Sequence, residues 1–265
     1  MHIRINVCYF AHEINLLNTM NIISNNRNRV VSPYISVDCV LIGFDGKQLK
    51  ALLVSQIDSE TKKGESEYKL PGSLIYEDED LDNAAKRVLT ELTGLKNVSM
   101  MQFRAFGSVE RTRDPKDTRW LERFHSLDCK INRIVTIAYL ALLKIDRKYT
   151  RLSERYEAKW APVKEVGKLA FDHNEIVISA LEYIKSYASI EPDVLFSLLP
   201  RKFTASQLRS LFELVYNRDF DVRNFHKKIA KMEYVIPLNE REEAVAHRAA
   251  RFYRFDRVIY NKTRG

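Results

Sequence analysis

The apolar positions of this chain change period along its length, and each change marks an element. Residues 35–42 and 49–54 are β-branched and aliphatic runs on either side of a Gly-Phe-Asp-Gly turn, which predicts two strands. Residues 133–144 form a third strand-like run. Leu81, Ala84, Ala85, Val88 and Leu92 instead recur at helical spacing and predict an amphipathic helix with one core face. Residues 171–187 read as a packed terminal helix carrying Ile176, Ile178, Ala180, Leu181 and Ile184, and residues 188–193, punctuated by Pro192, read as a hinge.

Beyond the hinge the period stays helical. Thr204 is an N-cap with Gln207 as its capping-box partner, and Leu208, Leu211, Phe212 and Val215 form the apolar face behind it. A linker at 217–220 leads to a second helix capped by Asp221. Its buried stripe is read as Val222, Phe225, Ile229 and Met232. The remaining faces carry Arg223, Asn224, His226, Lys227, Lys228 and Lys231. Residues 234–238 and 251–255 are expected to pair as a β-ribbon with 239–250 as its tip. Helix, turn, basic helix and two-stranded ribbon describe a winged helix-turn-helix, whose second helix enters the major groove while basic neighbours hold phosphates.

Charge strengthens that reading. The chain has 265 residues and a net charge of +8, and residues 195–265 hold 15 Lys and Arg against 8 Asp and Glu, so nearly all the excess lies in the last quarter. Such asymmetry points to an anionic partner, nucleic acid before membrane. The longest apolar run, 134–143, is interrupted by Thr136 and too short to span a bilayer. No apolar core of a secretion signal occurs in the first thirty residues, so a cytoplasmic protein is expected, with no membrane partner. Cys8, Cys39 and Cys129 lack metal-type spacing and read as free thiols in a reducing compartment.

The most specific stretch is residues 70–95, LPGSLIYEDEDLDNAAKRVLTELTGL. It resembles the Nudix box, G-x5-E-x7-R-E-U-x-E-E-x-G-U, with U a bulky apolar residue. Aligned on Gly94 and Leu95, the box places Ser73 at its first glycine, just after Gly72. Glu79 takes the first glutamate, Arg87 the arginine, Leu89 the apolar position and Glu91 one of the paired glutamates. Val88 and Leu92 stand where two further glutamates belong. Magnesium takes about six oxygen ligands, and carboxylates at 88, 91 and 92 would converge on it as i, i+3 and i+4 neighbours. One carboxylate between two aliphatic side chains implies a kept helix and a lost metal site. Glu79, Arg87 and Glu91 are then remnants of a degenerate box, with no catalytic residue, metal or cofactor expected.

Both halves together resemble the Nudix-related transcriptional regulators, a bacterial family joining a Nudix-fold sensor to a C-terminal winged helix. The resemblance covers about residues 35–262. It rests on LPGS and AKRVLTELTGL, then on FDH, SLLPRKFT, DVRNFHKK and ARFYRFD. AKRVLTELTGL is closer to the sugar-regulator branch, notably the arabinose regulators of Bacteroidetes, than to the repressors sensing ADP-ribose-type ligands. The implied fold is α+β, a Nudix α/β/α sandwich with a mixed sheet followed by a winged helix-turn-helix domain. Residues 1–34 would be an extension, 35–188 the effector-sensing domain and 189–265 the DNA-binding domain, with Met20 an alternative start. The implied mechanism is a homodimer on a near-palindromic double-stranded DNA operator, released by a small effector, a pentose such as arabinose or an ADP-ribose-like molecule.

The resemblance puts Arg223, Asn224, Lys227 and Lys228 at the DNA. Arg223 and Asn224 suit guanine and adenine edges. Lys227, Lys228, Lys231, His247, Arg248 and Arg251 suit phosphates, with Lys202 and Thr204 at the backbone near the first helix. Residues 111–133 depart from the family as an insertion beside the expected ligand cleft. Arg111, Arg113, Asp114, Arg119 and Trp120 are therefore the candidate effector contacts, the arginines for phosphate and the indole for a sugar or base face. Two other classes stay open. A working Nudix hydrolase would assemble magnesium from Glu77, Asp78, Glu79 and Glu91. An RNA-binding interaction protein would need the aromatic stacking platform that the basic region lacks.

Overall fold

A computed structural model describes residues 30–56, 68–115, 117–118, 133–145, 156–243 and 249–264. Its centre is strand β1 (Val31–Phe44), which pairs with β2 (Leu49–Gln56) and β3 (Gly72–Tyr76) antiparallel and with β5 (Val135–Lys144) parallel. β4 (Met101–Phe106) and β6 (Tyr156–Pro162) complete a mixed sheet of order β4-β5-β1-β2-β6. The expected strands are present, each longer than or close to its predicted span, while β3, β4 and β6 were not foreseen.

Strand alternation divides the core into two layers. Val37, Cys39 and Leu41 of β1 face helix α1 (Leu81–Thr93), meeting Ala84, Ala85, Val88, Leu89 and Leu92. Val40, Ile42 and Phe44 face helix α2 (His173–Ile190) and meet Ile176, Val177, Ala180 and Ile184. Because both faces are covered, β1 reads as a continuous apolar run rather than an alternating one. α1 is bounded by Asp80, whose carboxylate accepts from the Asn83 N–H at 2.7 Å, and by Gly94 at φ 73°, a left-handed position suited to glycine.

The stretch read as a hinge is helical and packed. α2 runs to Ile190 with Ala188 buried, and the Tyr216 hydroxyl donates to the Ala188 carbonyl at 3.0 Å. A 3-10 segment (Pro192–Leu198) follows, with Pro192 in its first turn, where proline fits because no N–H is needed there. Leu195, Phe196 and Leu198 are buried in the same apolar cluster as α2 and the C-terminal helices. The stripe of α2 needs one correction: Ile178 is 58 % exposed.

The C-terminal elements are β7 (Phe203–Thr204), α3 (Ala205–Tyr216), α4 (Val222–Ala230), β8 (Val235–Arg241), β9 (Arg251–Phe255) and α5 (Arg257–Arg264). The strands form a sheet of order β7-β9-β8, so the predicted ribbon exists with a short third strand added; α5 was not foreseen. Phe212, Phe220 and Phe225 meet edge to face between α3 and α4. Phe196 stacks on Phe255 with centroids 4.4 Å apart, tying the 3-10 segment to the ribbon. Val222 corrects the stripe of α4. Phe225 and Ile229 are buried, but Val222 is 52 % exposed, because the first turn of the helix extends beyond the aromatic core. Among the described residues no helix is long and apolar enough to cross a membrane.

Candidate functional site

The box helix brings its three remnants together. Arg87 donates to Glu79 through Nε and Nη2 at 2.9 and 2.6 Å, and to Glu91 through Nη1 at 3.1 Å. It also donates to the Leu74 carbonyl at 3.0 Å and lies 4.3 Å from the Tyr76 ring centroid. Glu79 in turn accepts the Tyr76 N–H at 2.9 Å. The network clamps β3 to α1. Burial lowers and the two carboxylates raise the Arg87 guanidinium, with a net upward shift. Val88 and Leu92 are wholly buried against the sheet. These residues do not fit a magnesium ion: two of the three helix positions are apolar and point into the core, and the third carboxylate is engaged by arginine.

A second charge cluster lies on the opposite side of β3. Asp38, in the middle of β1, receives Arg111 Nη2 at 2.6 Å, and Arg111 Nη1 donates to Asp172 just before α2. His173 Nε2 stands 3.4 Å from Asp38, while its Nδ1 accepts the Leu70 N–H at 2.9 Å. Lys69 Nζ donates to the Gly72 carbonyl at 2.9 Å. A Cβ at Gly72 would fall 1.8 Å from Asp38 Oδ1, so the LPGS turn needs glycine there to admit the carboxylate.

Burial raises the Asp38 carboxyl, but His173 and Arg111 oppose it and the net direction is downward. Burial holds the His173 imidazole below its ordinary value despite Asp38, which agrees with an Nδ1 that accepts a hydrogen bond. Arg111, 2.6 Å from Asp38, is the permanently charged member of the set that, with His173 and Lys69, favours the ionised carboxylate. Burial brings Lys69 down to about 7, with Asp38 opposing and Arg111 assisting.

Two members of this cluster, Arg111 and Asp172, line a cleft of about 500 Å³. Three of the predicted effector residues, Arg111, Arg113 and Asp114, line it together with Lys168, Phe171, Asp172 and several carboxylates. Arg111 is not the open cation expected: it is buried, and its guanidinium lies 5.3 Å from the Phe171 ring centroid. Arg113 is exposed and paired with Glu110. Arg119 and Trp120 lie outside the described residues. Sequence reasoning missed Asp38, Lys69, Asp172 and His173, although FDH was among the motifs noticed. The available signal was an aspartate inside an otherwise apolar strand.

The basic face of α4 is built differently. Asp221 caps the helix by accepting the Asn224 N–H at 2.9 Å. Glu213 holds the preceding turn by accepting from the Phe220 N–H at 3.0 Å and from Arg209 at 2.6 Å. Arg223, Asn224, Lys227 and Lys231 are exposed. Among the described residues no ion pair engages the side chains of Arg223, Lys227 or Lys231. Arg251 is exposed on the ribbon opposite Arg241.

Three predicted contacts are arranged otherwise. Lys228 turns back, its ammonium 4.9 Å from the Phe212 and 5.3 Å from the Phe220 ring centroids, which braces the turn by cation–π attraction. Thr204 is buried, and its hydroxyl accepts the Gln207 N–H at 3.2 Å as half of a full capping box. Lys202 is exposed but pairs with Glu240 of the ribbon. His247 and Arg248 lie outside the described residues.

Residues 33–180, more than half of the chain, match the family model described as NUDIX domain. The chain belongs to the Nudix family. Residues 195–255 match the NrtR DNA-binding winged helix domain, so the Nudix domain is followed by an NrtR-type winged helix. The chain is 24 % identical over 231 residues to the ADPR responsive transcriptional repressor NtrR of Acinetobacter baylyi, covering 84 % of this chain and 82 % of that protein. NrtR of Shewanella oneidensis, solved in complex with a 27mer DNA, has the same fold, with a TM-score of 0.60 at 24 % identity over 84 % of this chain and 93 % of that one. A MutT/nudix family protein from Enterococcus faecalis gives a TM-score of 0.55 at 23 % identity, over 85 % of this chain and 87 % of that one.

Proposed function

We propose that this protein is a transcriptional repressor whose winged helix, residues 189–265, holds duplex operator DNA and whose Nudix domain, residues 35–188, senses a small molecule. The observation that carries the reading is the exposed face of α4 and its C-cap, where Arg223, Asn224, Lys227 and Lys231 have no ion-pair partner among the described residues. Unneutralised arginine and lysine on a recognition helix suit phosphates and guanine edges. The Acinetobacter and Shewanella relatives, an ADPR responsive repressor and a protein crystallised on DNA, support the same reading. The operating form is a homodimer on a near-palindromic operator, as two-fold symmetry of protein and site would require.

The effector is a hydroxyl-rich molecule, either ADP-ribose-like or a pentose such as arabinose, held in the cleft beside Arg111, Arg113 and Asp114. The Acinetobacter relative supports the first. The lining supports the feature both share: carboxylates outnumber cations there, and Arg111 and Arg113 are already paired, so hydroxyl donors suit the cleft better than isolated phosphate. Hydrolysis has no place in the reading, because Val88 and Leu92 are core and Glu79 and Glu91 bind Arg87.

The test is binding to the DNA upstream of the protein's own gene, at moderate salt with excess random duplex, followed by addition of pentoses, ADP-ribose or sugar phosphates. Specific binding released by one of these compounds is the expected result. Absence of any preference over random DNA, together with magnesium-dependent turnover of a nucleoside diphosphate compound, would make the protein a hydrolase instead.

A further inference from the structure

An exposed valine on a protein surface is ordinary, but Val222 stands at a position fixed on every side. It is the first residue of α4, directly after the Asp221 cap, and the turn before it is held by Glu213, Arg209 and the aromatic contacts of Phe220. Phe225 and Ile229, four apart and buried, fix the rotation of the helix. With that rotation the exposed side chains run in three adjacent columns at i, i+4 spacing, Val222 with His226, Arg223 with Lys227 and Asn224 with Lys228. Val222 is the one aliphatic side chain exposed between residues 222 and 228.

The N-terminal residues of a recognition helix are those that meet base edges. In the major groove the C5-methyl of thymine is the apolar group available, and small apolar side chains contact it. We propose that Val222 reads a thymine, packing its γ-methyl groups against the C5-methyl beside the bases addressed by Arg223 and Asn224. This rests on the DNA-binding reading above and deepens it: the operator carries a thymine that is recognised by contact and not by hydrogen bonding. An apolar side chain excluded from its own core gains burial only when the helix is seated in the groove.

The full-length protein is used to enrich a duplex from a randomised pool, and each thymine of that duplex is then replaced singly by deoxyuridine, which deletes only the methyl group. At one thymine per half-site, replacement weakens wild-type binding about fourfold, the factor carried by burial of one methyl-sized group. Val222→Ala weakens binding to the thymine duplex by a similar factor and no longer distinguishes thymine from uracil at that position, while its response at other thymines is unchanged. Val222→Thr, which keeps the branching and one γ-methyl, retains part of the discrimination and serves as the second variant. Wild-type binding indifferent to every replacement, or a uracil penalty undiminished in Val222→Ala, would overturn the proposal. A pool that yields no enriched duplex overturns the DNA-binding reading itself, an outcome distinct from both.

Discussion

Arg111 and Arg223 are the same side chain put to opposite uses. Arg111 has a side chain 3 % exposed, pinned between Asp38 of the central strand and Asp172 before α2. Arg223 projects from the first turn of α4 into solvent, and no ion pair engages it among the described residues. The two halves of the molecule follow the same division. In the Nudix domain the notable charges satisfy one another, as Arg87 does with Glu79 and Glu91, and they hold strands to helices. On α4, Arg223 and Lys227 are exposed with no ion pair among the described residues, and only Lys228 is turned onto the fold, over Phe212 and Phe220. A charged residue is therefore informative about binding only once its partners within the fold are known.

The sharpest way to break this contrast is to remove an internal partner. Asp38→Ala leaves Arg111 buried with one carboxylate instead of two, and loss of one member of a buried pair costs ~3–5 kcal/mol. Urea unfolding is the readout, and a variant within about 1 kcal/mol of wild type, inside the range of surface substitutions and small local effects, would remove the cluster from the structural framework. The same cluster gives a pH signature without mutation. Lys69 is lowered from 10.5 to about 7 in the folded chain, so between those values the unfolded chain binds more protons. Stability contributed by Lys69 therefore rises with pH across that window. His173 is held below 6.5, so unfolding takes up a proton and stability falls as pH drops through 6.5. Asp38, held below 3.8, adds a further loss only at more acidic pH. Lys69→Met should flatten the alkaline rise; an unfolding midpoint already flat from about pH 7 to 9 in wild type would contradict the lowered Lys69.

Outside the core the expected effects are smaller and fall on binding. Arg223→Ala should leave the unfolding midpoint in place and cost about 1–3 kcal/mol on the enriched duplex, with relaxed choice at one base. Equal weakening on random DNA would make Arg223 a phosphate contact instead. Thr204→Ala tests a residue that crosses the division. Its buried hydroxyl closes the capping box of α3, so the expected loss is about 1 kcal/mol of stability. DNA affinity should not change; weaker binding, alike on enriched and random duplexes, would restore Thr204 to the backbone contacts.

What the sequence made legible follows from the range of the interactions involved. β1, β2, β5, α1, α3, α4 and the ribbon are set by local period and capping, so residues such as Leu208 and Leu211 are assigned to the core without reference to any distant residue. The cluster of Asp38, Lys69, Arg111, Asp172 and His173 draws on four separate segments, and no local pattern announces that they meet. Arg111 was consequently read as an open ligand cation. Val222 departs from its stripe because a helical pattern shows which face is buried, not where along the helix the covering partner ends, whereas Ile178, two residues from the buried Ile176 and Ala180, lies on the opposite face of α2. Pro192 was read as a break, although in the first turn of a 3-10 segment it costs no hydrogen bond.

Lys227 gives the smallest effect and the finest test of the contrast. It lies one turn beyond Arg223 on the same exposed column, but an ammonium is a mobile point charge without the fork that reads guanine. Its contribution should be counterion release from one phosphate, independent of sequence. Lys227→Ala is therefore expected to weaken binding nearly equally on enriched and random duplexes, and to flatten the plot of log affinity against log salt by about one unit. Lys228→Ala is the internal control, since that side chain is folded over Phe212 and Phe220. It should lower stability through the turn while leaving the slope close to wild type. If both variants flatten the slope alike, the cation–π contact gives way when DNA binds, and pairing in the free fold no longer separates structural charges from binding ones on this helix.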